Sequence, residues 1–130
     1  MLEPLGPQHN ESDYTAWTSS MSYIHGLPGF EGQAWPLEMS LEANLGDLEG
    51  HARDFEDRSG FTYTVLDPDH RDVIGCVYIY PARESPEHDA SVRSWVRADR
   101  AGLVGPLWRA VCDWLRQEWP FVNVSYASRA

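Results

Sequence analysis

Lysine is absent from this 130-residue chain, and all ten of its basic residues are arginine. A lysine Schiff base and a P-loop lysine are therefore excluded. Cysteine is scarce. Cys76 falls in a strand pattern and Cys112 in a helix pattern, and neither has a histidine at motif spacing. Two reduced, buried thiols are expected, not a disulfide or a cysteine nucleophile. Long apolar runs are also missing. Met1 leads straight into Pro4, Gly6 and Pro7, so neither a secretory signal nor a membrane span is expected, and the cytoplasm is the expected compartment. Positive charge is in deficit, with 20 acidic residues giving a net charge of −10. Nucleic acid and anionic membranes require Lys/Arg clusters, so neither is expected as a partner. Excess carboxylate favours a cationic or amine-bearing small molecule; it also serves plain solubility.

What is present is core material. Hydrophobic residues make up 42% of the chain, including six Trp, six Tyr and four Phe. That suits one folded domain covering residues 1–130. Residues 2–5 read as a short edge strand. Asn10 caps a helix whose apolar face is Tyr14, Trp17, Met21 and Ile24, and Gly26 ends it. Residues 27–36 (LPGFEGQAWP) form a loop. Ser40 caps a second helix with the stripe Leu41, Leu45, Leu48, Ala52 and Phe55, closed by Ser59 and Gly60. Residues 61–67 and 72–81 alternate as two strands of a hairpin. The second is apolar on both faces and so central to its sheet, and Gly75 marks a bulge or close approach. Residues 83–88 form a polar loop.

Residues 90–96 make a third strand of this group. An Arg- and Gly-containing turn follows over 97–105, and Pro106 opens an amphipathic helix to Glu118. Its inward residues are Leu107, Trp108, Val111, Cys112, Leu115 and Trp119, and residues 121–126 form the last strand. The order is β-α-α-β-β-β-α-β. The unit from Ala90 to Tyr126 is a right-handed crossover with parallel strands, and the hairpin-linked strands before it are antiparallel. A strand feeding a helix N-terminus through such a turn is a place to bind phosphate, since free N–H groups and the helix dipole meet there.

This order resembles that of the GNAT superfamily of N-acetyltransferases: an α/β (α+β) fold with a mixed, mostly antiparallel sheet flanked by three helices. The family's diagnostic turn has the pattern Q/R-x-x-G-x-G/A. Here Arg100 fits the first position and Gly105 the last, Leu103 stands where the middle glycine belongs, and Gly102 lies one residue earlier. The family continues past this strand into another helix and two strands. The chain is then a reduced member, or a second copy covers its C-terminal sheet edge as a homodimer.

The resemblance implies acyl transfer from acetyl-CoA, or a related acyl-CoA, to a small amine. It implies that amides from Gly102, Leu103, Val104 and Gly105, with Arg97 or Arg100, hold the pyrophosphate. It implies that the pantetheine arm runs beside Trp95 and Val96, where the last two strands splay. The family often places a glutamate early in the strand, at a position that falls on Ala90 here, and Asp89 is its nearest substitute as base. Ser91, Tyr78 or Tyr80 would otherwise relay the proton through water. Tyr126 is the tyrosine nearest the splay, and so the acid for the leaving thiolate. A pocket between the 27–36 loop and the sheet would take the acceptor, with walls Phe30 and Trp35 and with His25 and Glu31 near the amine. His51 and Asp54 lie three apart on the second helix and are expected to pair at the surface; no metal site is expected. The departures from the family pattern leave a different class open: a non-catalytic module of the same fold that binds a ligand or a protein.

Overall fold

The computed structural model describes residues 1–82 and 87–127. Residues 83–86 of the expected polar loop lie outside the described residues. The strands are β1 (Leu2–Pro4), β2 (Phe61–Leu66), β3 (Val73–Pro81), β4 (Ala90–Val96) and β5 (Val124–Ser125). The α-helices are α1 (Asn10–Thr18), α2 (Met21–His25), α3 (Leu41–Asp57) and α4 (Val104–Glu118). The strands form one sheet in chain order. The pairs from β1 to β4 are antiparallel, and β4 with β5 is parallel.

The expected first helix is two. Ser19 and Ser20 break it: the Ser19 hydroxyl donates to the Ala16 carbonyl at 2.9 Å, and the Ser20 hydroxyl accepts from the Ala98 amide at 2.8 Å. Serine side chains compete in this way with the helical ladder. The apolar face survives the break, because Trp17 and Ile24 sit in one buried cluster with Tyr14 and Met21 against it. Ser40 caps α3 as expected, accepting from the Ala43 amide at 3.0 Å. The inward line of α3 differs from the expected stripe: Asn44 and Leu48 are buried, and Leu41 is exposed.

β3 is the strand that organises the core. On one face it packs against α1–α3 through Cys76, and on the other it meets α4 through Ile74, Val77 and Ile79. Gly75 allows the close approach foreseen for it. A Cβ built there would stand 2.5 Å from the Trp95 carbonyl oxygen of β4. The register irregularity lies beside it, between Val65 and Leu66 of β2.

Two elements at the C-terminal side depart from expectation. The turn after β4 is not open loop; it is 3-10 helix over Ala98–Leu103, and α4 starts at Val104, two residues before Pro106. Proline is tolerated in that first turn because its missing N–H has no intrahelical partner to lose. The last strand shrinks from six expected residues to two. The Asp89 carboxylate takes the amides of Val122 and Asn123, at 2.7 and 2.9 Å, which turns that backbone out of the ladder.

Gly75→Ala is expected to destabilise the fold by about 1–3 kcal/mol, since the added methyl meets backbone that cannot rotate away. Urea denaturation of the two proteins measures the difference.

Candidate active site

Alternation along β3 and β4 builds one surface. Tyr78 pairs with Arg93 and Tyr80 with Ser91, so all four project from the same face, toward α3 and the 27–36 loop. The ring of Tyr80 needs Gly60 beside it, because a Cβ on Gly60 would clash with that ring. Two adjoining hollows open on this face and share Gln33, Tyr78, Tyr80 and Arg93. One, about 380 Å³, is walled by Phe30, Trp35 and Leu48, with Asp13, Asn44, Asp47 and His51 around it. The other reaches along β4 to Ser91 and across to Ser125.

His51 stands on α3 above the tyrosines. Its Nδ1 lies 2.9 Å from the Tyr80 hydroxyl and 3.1 Å from Thr62 Oγ1. The Tyr80 hydroxyl donates its proton to Asp54 at 2.9 Å. Tyr80 can therefore only accept from Nδ1, which puts the imidazole proton on Nδ1 and the lone pair on Nε2. Burial lowers the His51 pKa below its ordinary 6.5, against the pull of Asp54 and Asp47, so the ring is neutral near pH 7. The chain Asp54–Tyr80–His51 replaces the surface pairing expected of His51 and Asp54: a tyrosine from the sheet stands between them. A neutral imidazole held this way, on a cleft, can take a proton.

Asp13 is the second unusual group. It is buried on α1, and its Oδ2 accepts from the Asn44 amide at 3.1 Å. Asn44 also donates to Asn10 and accepts from the Trp17 indole, tying α1 to α3. Burial raises the Asp13 pKa from 3.8 to about 6, the Asn44 hydrogen bond opposing. No ion pair to Asp13 exists among the described residues.

Arg93 spans both hollows. Its guanidinium carbon lies 5.2 Å from the Phe30 ring centre and 5.7 Å from that of Tyr78. Its hydrogen bond to the Gly29 carbonyl is long, at 3.5 Å.

The expected acceptor residues are partly brought together. Phe30 and Trp35 line the cleft, although Phe30 is also deep in the core. His25 does not line it. Its Nε2 is 2.6 Å from the Pro36 carbonyl, so it closes the loop's two ends. Glu31 is exposed and outside the lining. Tyr78 and Tyr80 reach the cleft, but the Tyr78 hydroxyl accepts the Trp95 indole N–H at 2.9 Å.

The strand–turn region is more committed than expected. Trp95 and Val96 are buried, and the Trp95 side chain belongs to the core. Arg97 is bound by Asp99 at 2.9 Å, and Arg100 by the buried Asp67 at 2.7 Å. The Asp67 carboxyl is held down to about 2 by the amides of Asp69 and His70 and then by Arg100. Asp89 is a clamp on β5; its two amide donors lower its pKa, which makes it a weak base. Among the described residues β4 and β5 pair only at Ala90–Val124 and Ser91–Ser125. Beyond that point the Tyr126 hydroxyl reaches Ser94 Oγ at 2.6 Å.

Three features at this end could receive an anion. Among the described residues no side chain caps α4, a Cβ on Gly102 would meet nothing within 4 Å, and the Trp108 indole N–H, packed near Tyr126, is buried without a partner; the Val104 amide, expected as a phosphate donor, is already taken by the Ala101 carbonyl. Pro106 removes one amide from that helix turn.

No family model and no curated protein matches this sequence. Solved structures do. The chain is similar to a ribosomal-protein-S5-alanine acetyltransferase from Vibrio fischeri, at 16% identity and a TM-score of 0.65, over 88% of this chain and 62% of that one. It is similar to a probable acetyltransferase at 13% identity and a TM-score of 0.67, over 96% of this chain and 66% of the other. A possible acetyltransferase from Clostridium difficile 630 aligns at 7% identity and a TM-score of 0.58, over 99% and 79% of the two chains. The chain thus spans under two thirds of the first two. At these identities the likeness establishes the fold, which is that of GNAT-type acetyltransferases, as the element order implied.

Asp13 generates a test. A carboxyl whose pKa rises on folding binds its proton more tightly in the folded state. Its burial therefore costs nothing below pH 3.8, costs more as pH rises toward 6, and reaches about 3 kcal/mol above that. Asp13→Asn is expected to raise stability by roughly 1–3 kcal/mol at pH 7.5, and by much less at pH 4. Denaturation curves at both pH values check it.

Proposed function

We propose that this chain is an acyl-CoA-dependent N-acyltransferase, with acetyl-CoA as donor and a small amine as acceptor. The observation that carries the reading is the cleft: a neutral, oriented His51 and a buried Asp13 line one hollow, and the adjoining hollow reaches Ser91 and Ser125, where β4 and β5 part. A transferase of this fold needs a proton acceptor on the amine side of the splay, and His51 supplies it.

In this reading the acceptor enters as an ammonium, drawn by Asp13 and Asp47, and loses one proton to His51 Nε2. Its nitrogen adds to the thioester carbonyl carbon. The C–S bond breaks, the nitrogen gives up its second proton as the amide forms, the departing thiolate takes up one proton, and the proton held by His51 passes to solvent. Tyr126, hydroxyl-bonded to Ser94, is the tyrosine at the splay for that last transfer. The donor's diphosphate would lie against the uncapped start of α4 and the open Gly102. Arg97 and Arg100 are already paired there, so backbone amides and the helix dipole supply most of the attraction. The paired arginines and the Tyr126–Ser94 bridge favour a second reading, a module of this fold that binds without catalysing.

Acetyl-CoA is expected to stabilise the protein, by about 2.7 kcal/mol at 100 times Kd. Gly102→Asp puts a carboxylate into open space; it should leave the unliganded melting temperature unchanged and abolish the shift. No shift at millimolar acetyl-CoA defeats the transferase reading. A shift without thiol release on any amine supports the binding module.

The pH dependence follows from His51. It accepts a proton only when neutral, so kcat should fall on the acid side with a midpoint below 6.5. His51→Gln should lower kcat by about 10²–10⁴ and remove that limb. A pH–rate profile of both proteins measures it.

A further inference from the structure

The structure points, we propose, to an amino acid as the acceptor: a zwitterion whose ammonium sits at the Asp13–His51 end of the cleft and whose carboxylate is held by Arg93. This rests on the cleft being the acceptor site of the preceding section, and adds the class of molecule that fills it.

The argument starts from charge. Asp and Glu outnumber Arg two to one in this chain. Arg71, Arg97, Arg100 and Arg116 each have a carboxylate partner. Arg53, Arg58 and Arg109 are exposed to water on helices or at their ends. Arg93 differs from both groups. It is half-buried, it lines both hollows, and no ion pair forms to it among the described residues. Phe30 and Tyr78 fix its guanidinium by stacking and leave the N–H fork without a strong acceptor. A planar fork held on aromatic rings at a cavity wall matches a carboxylate, which accepts two parallel N–H bonds from it.

The opposite charge lies in the same hollow. Asp13 is a buried carboxylate with no ion pair among the described residues, and Asp47 lines the same hollow. Trp35 and Tyr78 line the same hollow, and aromatic rings attract an ammonium. The distance between the two ends is bounded. The Arg93 guanidinium carbon and the His51 ring centre each stand 5.7 Å from the centre of the Tyr78 ring. Twice that distance is the most that can separate them. An amine and a carboxylate on one small molecule span such a gap, with Tyr78 beneath the atoms that join them. A diamine would set its second cation against Arg93, and a simple monoamine would leave Arg93 without its anion.

The experiment compares pairs. Calorimetric titration of the intact protein at pH 7.5 uses L-amino acids and, for each, the amine left when its carboxylate is removed, together with short diamines. At least one amino acid should bind about tenfold or more tightly than its decarboxylated partner. Arg93→Gln should abolish that difference while retaining the amine's own affinity. The proposal is overturned if decarboxylated amines or diamines bind as well as the amino acids, if no amino acid binds at millimolar concentration, or if Arg93→Gln weakens both members of a pair equally. The wild-type comparison stands even where the variant folds poorly. Failure here is separable from failure of the transferase reading. Acetyl-CoA that acetylates diamines overturns only the amino-acid proposal. Amino-acid binding without any acetyl-CoA binding overturns only the transferase.

Discussion

The pairing of β3 with β4 runs from Gly75–Val96 to Pro81–Ala90 without a break, and the candidate site takes its geometry from it. A strand ladder has a period of two, so fixing one pair fixes the face of every other side chain. Tyr78, Tyr80, Ser91 and Arg93 share the cleft face because Cys76–Trp95 and Gly75–Val96 hold the register at the other end. The second face is equally committed, since Val77, Ile79 and Val92 bury themselves against Val111 and Leu115 of α4. A one-residue slip of β4 against β3 would send Arg93 and Ser91 into the apolar layer under α4, away from both tyrosines. Gly75 is what lets the two backbones come close enough for this register.

The helices then bring polar groups to that face at some cost. Asn44 joins three partners from α1 and so fixes how α3 lies over the sheet, which in turn sets His51 above Tyr80. The same network leaves Asp13 buried with the Asn44 amide as its donor and no ion pair among the described residues. Natural folds rarely keep a carboxylate this way without a use for it, and strongly perturbed groups in clefts mark functional sites. The polar line Asn44–His51 and the buried Asp13 are thus parts of one arrangement, not separate irregularities.

Much of the architecture was legible in the sequence because periodicity reports burial. The bounds of β4 were read to the residue, and the doubly buried β3 was placed at the centre of its sheet group. The short β5 was not legible, since its length depends on an aspartate 33 residues earlier capturing its amides. The site was half legible. Phe30 and Trp35 stood out as aromatics in a Gly/Pro-rich loop. Asp13 did not, and His51 was read only as half of a surface pair, although a signal existed: each falls on the inward face of its helix, Asp13 four residues before Trp17 and His51 three after Leu48. The roles expected of Arg97, Arg100 and Asp89 left one thing out. Sequence shows charge, but not the partner that has already claimed it, and here Asp99, Asp67 and the β5 amides had.

Those claimed arginines have a kinetic meaning. The turn after β4 carries guanidinium groups, yet Asp99 and Asp67 neutralise them locally, and the surrounding molecule is strongly negative. A diphosphate docking at that turn, as proposed, would meet no attractive field at long range. Its encounter rate should therefore be that of unassisted diffusion and random orientation, and added salt should hasten the approach by screening the repulsion instead of slowing it.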